Sequence, residues 1–156
     1  MSAHDEVLES MQTMAGTFAS QGIFLELPPQ SNLTLGTRYT ELQLGKSLSA
    51  EIKFDLKFAN PLHMFQGGFL CAVFDEVYGP LTYMTAGSPV VTIEMSTTFI
   101  RPFTAKDEFI IVKAELVAQT KSLIMLKAEA KTKEGKLIAT STTHSLIISK
   151  EKIKNV

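Results

Sequence analysis

One cysteine, no tryptophan and three histidines leave this 156-residue chain poor in the side chains that metal and redox chemistry use. Cys71 has no second thiol to pair with, so an intrachain disulfide is excluded and a reducing, cytoplasmic location is expected. The histidines and Cys71 are scattered without the close spacing of a ligand set, so no metal is expected. Charge of neither sign dominates: 15 Lys and Arg stand against 16 Asp and Glu, which speaks against a nucleic-acid partner. No apolar run nears the roughly 18 to 20 residues that cross a bilayer, so no membrane partner is expected. Asp5, Glu6 and Glu9 fall where a signal peptide would be apolar, so none is expected. Walker-type and Gly-x-Gly-x-x-Gly loops are missing as well, and no cofactor is expected.

What is present is ordinary for a globular domain, 45% hydrophobic and 20% charged. The length suits a single domain over 1–156, with a helix and connection at 1–36 and a core at 37–149. Val7, Leu8, Met11, Met14, Ala15 and Phe18 recur at helical spacing in residues 4–21, and Gly22 follows as a stop signal. Residues 27–36 read as connection. Residues 37–43 and 47–58 read as two strands joined at Leu44-Gly45-Lys46; in the second, Ala50, Ile52, Phe54, Leu56 and Phe58 alternate with polar residues.

Residues 69–84 are apolar nearly all round, which predicts a buried helix, kinked or ended in its first segment by Pro80. Residues 90–101 alternate again, with Val91, Ile93, Met95, Thr97 and Phe99 on one face and Thr92 on the other. Residues 109–119, 122–133 and 136–148 predict three more strands, the last two joined at Glu134-Gly135, and Lys150, Lys152 and Lys154 are expected to fray. Strands that do not alternate with helices indicate an α+β fold: a curved antiparallel sheet of about six strands around one long central helix, with an extra N-terminal helix.

An acid within so apolar a helix needs a reason, because burying an unpartnered carboxylate is expensive. Asp75 lies in Val73-Phe74-Asp75-Glu76-Val77; the structural alternative is that Asp75 and Glu76 emerge together at a local polar strip. Gln66-Gly67-Gly68 precedes the helix, and two glycines there let a ligand approach the free N–H groups of the first turn. Such N–H groups can stabilise a developing oxyanion.

The stretch from Asn60 through Gln66-Gly67-Gly68 to Asp75-Glu76, with Val91–Pro102 after it, resembles the hotdog-fold thioesterases of the phenylacetate-pathway type. The resemblance covers roughly residues 45–149. It implies hydrolysis of an acyl-CoA thioester to free acid and thiol, without a cofactor. It implies that Asp75 activates water or attacks directly, that Gly67 polarises the thioester carbonyl, and that Asn60 holds substrate or water. Gln66 stands where many members have His and cannot change charge near neutral pH. Thr92 is implied to be a small hydroxyl residue on the strand after the helix, and Gly68 is expected beside it at the substrate site. Arg101-Pro102 most simply ends a strand, and an Arg there has the chemistry to meet a CoA phosphate.

His63, in Asn60-Pro61-Leu62-His63, resembles part of a hotdog enoyl-CoA hydratase motif, but the acid that motif needs is replaced by Phe58. His63 then remains a polar residue beside the substrate path. A non-catalytic acyl-CoA-binding domain is the alternative from another class, and it would need no acid at position 75. His144 and Cys71 are expected to be structural. Gly67 and Asp75 are eight residues apart, about 12 Å along one helix. A site using both is therefore expected to draw them from two chains, in a homodimer or a dimer of dimers.

Overall fold

The protein is described by a computed structural model covering residues 1–149; residues 150–156, with Lys150, Lys152 and Lys154, lie outside the described residues. Helix α1 spans Ala3–Ala19, opened by a capping box in which Ser2 and Asp5 satisfy each other's backbone N–H. Helix α2 covers Gln30–Leu35 within what the sequence presents as connection. Six residues after Pro28-Pro29 are too few to display a helical period; the left-handed Gly36 closes this helix (φ 65°).

Helix α3 runs Gly67–Ala86 and ends on the left-handed Gly87. Strands β1 (Arg38–Gln43), β2 (Ser47–Lys53), β3 (Val90–Phe99), β4 (Phe109–Gln119), β5 (Leu123–Thr132) and β6 (Leu137–Ile147) form one antiparallel sheet. Their order is β1-β2-β4-β5-β6-β3, so β1 and β3 are the two edges. The helix packs against β2, β3, β4, β5 and β6 together, which requires the sheet to curve around it. Leu70, Val73, Phe74, Val77, Tyr78 and Leu81 meet Leu48, Ile52, Ile110, Val112, Ile124 and Leu126 in one buried core. Each such aliphatic side chain contributes about 1.5–3 kcal/mol by leaving water.

One sequence expectation fails here, and a second is narrowed because Pro80 does not end the helix. The second strand stops at Lys53 rather than 58, although the alternation continues. Asp55 accepts from the Lys57 N–H at 2.9 Å and turns Leu56–Phe58 into a 3-10 helix, which leaves Leu56 62% exposed and buries Phe58. Phe54 instead joins Phe65 and Phe103 in an aromatic cluster (centroids 6.3 and 5.5 Å).

Pro80, expected to kink or end the buried helix, lies inside an unbroken α3. A proline has no N–H for the carbonyl four residues back, here that of Glu76. That oxygen accepts from the Tyr39 hydroxyl of β1 at 3.4 Å, and Asn32 of α2 donates to the same hydroxyl at 3.1 Å. The hydrogen bond that proline removes is thus replaced from outside the helix, which ties α2 and β1 to α3.

Tyr39→Phe should lower stability in urea by about 1–3 kcal/mol, the cost of orphaning buried polar partners. The loss should shrink in a Pro80→Ala background, where the backbone regains the missing N–H. Equal losses in both backgrounds would mean that Tyr39 does not serve this carbonyl.

Candidate active site on the exposed stripe of the central helix

Helix α3 is buried except along a narrow stripe. Gly68, Ala72 and Asp75, spaced at four and three residues, are exposed. Asp75 is therefore not the enclosed acid that the apolar sequence suggests. Its neighbour Glu76 is, at 9% exposure. One residue of helical rotation, about 100°, separates the two environments.

Asp75 is oriented from the sheet. Thr92 of β3 donates its hydroxyl to Asp75 Oδ1 at 3.0 Å. Uniform alternation along β3 places Thr92 opposite Met95 and Thr97, but the strand is bulged. Thr92 pairs with Ser145 and Glu94 with His144, leaving Ile93 as an extra residue. Thr92, Met95 and Thr97 consequently oppose Ser145, Thr143 and Ser141, all buried on the helix side of β6. The bulge re-aims Thr92 at the helix and leaves Val91 and Ile93 exposed, a correction to the expected face.

Two cavities flank α3. One, of about 350 Å³, lies between α3 and the N-terminal segment; Asp75, Glu76, Gly79 and Tyr83 line one side, Leu25 and Leu27 the other. The second, of about 360 Å³, contains Asn60, Gly67, Leu70, Phe99 and Arg101. Asp75 and Gly67 do not share a cavity within one chain.

Gln66 is the N-cap of α3, and its side chain makes no capping hydrogen bond. The first N–H groups of the helix therefore have no side-chain partner from Gln66. Neither Gly67 nor Gly68 has a positive φ, so space decides their size rather than backbone conformation. A Cβ on Gly67 would come within 3.0 Å of Phe99 Cζ, whereas one on Gly68 would meet only the exposed Gln66 side chain at 3.3 Å. Space therefore restricts Gly67 more than Gly68.

Asn60 Oδ1 accepts from the N–H groups of Leu62 and Met64 at 2.9 and 3.2 Å, closing the loop that leads into α3. His63 occupies the exposed tip of that loop at φ 57° and lines neither cavity. Arg101 Nη1 donates to the Leu137 carbonyl at 2.8 Å. His144 pairs with Glu94 across the strands at 3.2 Å, and Cys71 is half-buried in α3.

Sequence reasoning missed Glu76. Burial raises its carboxyl above the ordinary range, Asp75 adds to the rise, and Ser31 and Asn32 of α2 offset part of it. The signal was available in its spacing of three from Val73 and four from Pro80, both buried, but adjacency to Asp75 made the two acids look equivalent.

The thioesterase superfamily model matches residues 64–139, from the loop before α3 into β6. Over those residues the chain is similar to the thioesterase superfamily, and its fold is the hotdog fold. Among curated proteins no match is found. A phenylacetic acid degradation-related protein from Ralstonia eutropha JMP134 is 26% identical, with a TM-score of 0.70 over 82% of this chain and 96% of that one. The E. coli PaaI protein of the phenylacetic acid degradation operon is 14% identical, with a TM-score of 0.73 over 92% and 96%. A hypothetical thioesterase protein from Streptococcus pneumoniae TIGR4, solved with coenzyme A, is 15% identical, with a TM-score of 0.70 over 76% and 92%. These likenesses agree with the resemblance read from residues 45–149 and with the six-stranded fold around α3. No helix among the described residues is long and apolar enough to cross a membrane.

Glu76 ionises near 4.5 in an unfolded chain and at higher pH when folded. Between those values the native state holds the additional proton, so stability from the neutral carboxyl is full below 4.5 and is lost as pH rises through the raised value. Urea unfolding of wild type and Glu76→Gln from pH 4 to 8 should show wild type losing stability relative to the variant as pH rises. Parallel curves would contradict the assignment.

Proposed function

We propose that this protein hydrolyses acyl-CoA thioesters to free acid and CoA, at sites shared between two copies of the chain. The observation that carries the reading is Asp75, an exposed carboxylate oriented by Thr92 at the mouth of an apolar cavity. The coenzyme A found with the Streptococcus pneumoniae protein supports a CoA thioester as the ligand. A binding domain without catalysis would give no reason to aim a strand bulge at an exposed acid.

The two halves of the site face different cavities on one chain, about 12 Å apart along an unbroken helix. This exceeds the roughly 3 Å needed for proton transfer to a substrate held at Gly67. A second copy resolves the separation. Strand β3 presents a ten-residue open edge with Val91, Ile93 and Phe99 exposed at 45%, 56% and 52%. Such an edge favours pairing with another strand. Two β3 strands related by a two-fold axis bring the Asp75 of one chain toward the Gly67 cavity of the other.

In that site the acyl carbonyl lies against the Gly67 N–H at the positive end of α3. Asp75 takes a proton from a water molecule whose oxygen attacks the carbonyl carbon, and the π electrons move onto the carbonyl oxygen. Collapse of the tetrahedral intermediate breaks the C–S bond, releases the CoA thiolate and leaves the carboxylic acid, with Asp75 returning the proton. Thr92 holds Asp75 in place. Asn60, with Oδ1 committed to its loop, offers its Nδ2 to substrate or water. Gln66 and Gly68 border the entry, and Arg101 lies where the CoA arm leaves; His63, at the loop tip, has at most a peripheral role.

Asp75→Asn should lower hydrolysis at least ~10²-fold, the contribution of a positioned general base. Gly67→Val, checked for folding because Phe99 must swing aside, should cost ~10² to 10³. Mixing the two inactive proteins and allowing subunit exchange should regenerate one working site per heterodimer. A fully active monomer in light scattering, or no recovery despite proven exchange, would defeat the shared-site reading. Near wild-type turnover by Asp75→Asn would defeat the hydrolase assignment to that residue.

A further inference from the structure

The open stripe of α3 does not stop at Asp75. Gly79 and Tyr83 follow it at intervals of four residues, both half-buried, so the three lie in one row along the helix. This row lines the cavity of about 350 Å³ between α3 and the N-terminal segment, with Met11, Leu25 and Leu27 opposite. Asp75 and Tyr83 stand about 12 Å apart along the axis, with Gly79 midway. At the Tyr83 end the ring meets that of the buried Phe18 of α1 edge-on, at 6.5 Å between centroids.

Glycine inside a helix destabilises it relative to alanine. Gly79 has no positive φ to call for one. Beyond its chain neighbours and its own helix backbone, a Cβ there would have nothing within 4 Å, whereas one at Gly67 would meet Phe99 at 3.0 Å. Pro80 supplies a local reason, because its ring disfavours helical backbone in a preceding residue that carries a Cβ. That reason concerns the backbone and leaves the space beside residue 79 as it is. The outcome is a gap in the cavity floor one helical turn past the candidate catalytic carboxylate.

The cavity suits a chain that is long and uncharged. Its lining holds Glu26, Asp75 and Glu76 but no Lys, Arg or His, so a chain ending in a carboxylate finds no partner there. An extended chain advances roughly 1.2 Å per bond, so the row accommodates about ten bonds. We infer that the acyl chain lies along Asp75, Gly79 and Tyr83, and that Gly79 sets how far it reaches. The preferred substrates are then uncharged acyl thioesters of about eight to ten carbons. A side chain at position 79 would stop the acyl chain after one turn. The inference rests on the thioesterase reading for the place of the carbonyl, but binding tests it without turnover.

In wild type, kcat/KM should rise from acetyl-CoA to decanoyl-CoA. Gly79→Leu should lower the decanoyl-to-acetyl ratio of kcat/KM at least ~10-fold, the discrimination that a methylene or more makes in an apolar pocket. The same drop is expected when Gly79→Leu is compared within Pro80→Ala, where no proline restricts residue 79. Calorimetric titration with S-ethyl-CoA and S-decyl-CoA, thioethers that cannot be hydrolysed, should show the decyl compound binding at least ~10-fold more tightly. Gly79→Leu should remove most of that gain. A wild type indifferent to chain length, or equal ratios with and without Gly79→Leu in both backgrounds, overturns the inference. Thioester hydrolysis whose length profile ignores residue 79 would leave the hydrolase standing and remove the acyl path. Thioether binding that depends on length and on residue 79, with no thioester hydrolysed, would do the reverse.

Discussion

Helix α3 cannot face water: Leu70, Val73, Phe74, Val77, Tyr78 and Leu81 are all buried. Only a sheet bent around the helix covers so many directions at once: β2 to β6 pack against it, and Tyr39 of β1 hydrogen-bonds its backbone. The uncovered remainder is the stripe of Gly68, Ala72 and Asp75, with Phe69 partly exposed beside it. The same packing sends Asp75 outward and Glu76 inward, giving adjacent carboxyls opposite surroundings. The outward acid is exposed to solvent and accepts the Thr92 hydroxyl. The inward one is held by α2 and resists ionisation. A difference in role thus follows from helical phase before any specific contact is considered.

Proline within the helix turns this burial into a link between elements. Pro80 withdraws one N–H and exposes a carbonyl to whatever can donate, and the donor is Tyr39, itself braced by Asn32. His4, in the first turn of α1, adds to the brace, with Nδ1 accepting the Tyr39 N–H at 3.2 Å and its ring stacked on Tyr39 at 5.5 Å. The N-terminal segment is thereby fastened over the face of α3 that carries Asp75, and it encloses the apolar cavity there. An appended helix has become one wall of the candidate site.

The fold was legible where a period ran long enough to be read. Ten or eleven residues of alternation marked β4, β5 and β6, and the all-apolar run marked α3. Legibility failed where a local hydrogen bond overrode the pattern. Asp55 ended β2 while the alternation continued, and an extra residue at Ile93 reversed the face of Thr92. Six residues of α2 were too short to show a period. The candidate site was legible as residue types, through Gly67 and Asp75, but not as surroundings. Whether an acid on an apolar helix is enclosed depends on which strands lie over it, and no local pattern carries that information. Glu76 went unnoticed for this reason.

The two cavities beside α3 differ in a way that bears on what the protein can accept. The one next to Asp75 is walled by Met11, Leu25, Leu27, Leu35 and Tyr83, and suits an apolar group. The one next to Gly67 leads past Arg101 toward cations. A ligand spanning both must be apolar at one end and anionic at the other, with its reactive carbonyl between. Within one chain the two cavities open at different positions along the helix. In the proposed two-fold pair with antiparallel helices, the apolar cavity of one chain would lie opposite the polar path of the other. An acyl thioester of a phosphorylated carrier has this division of chemistry along its length, and the shared site would read both ends at once.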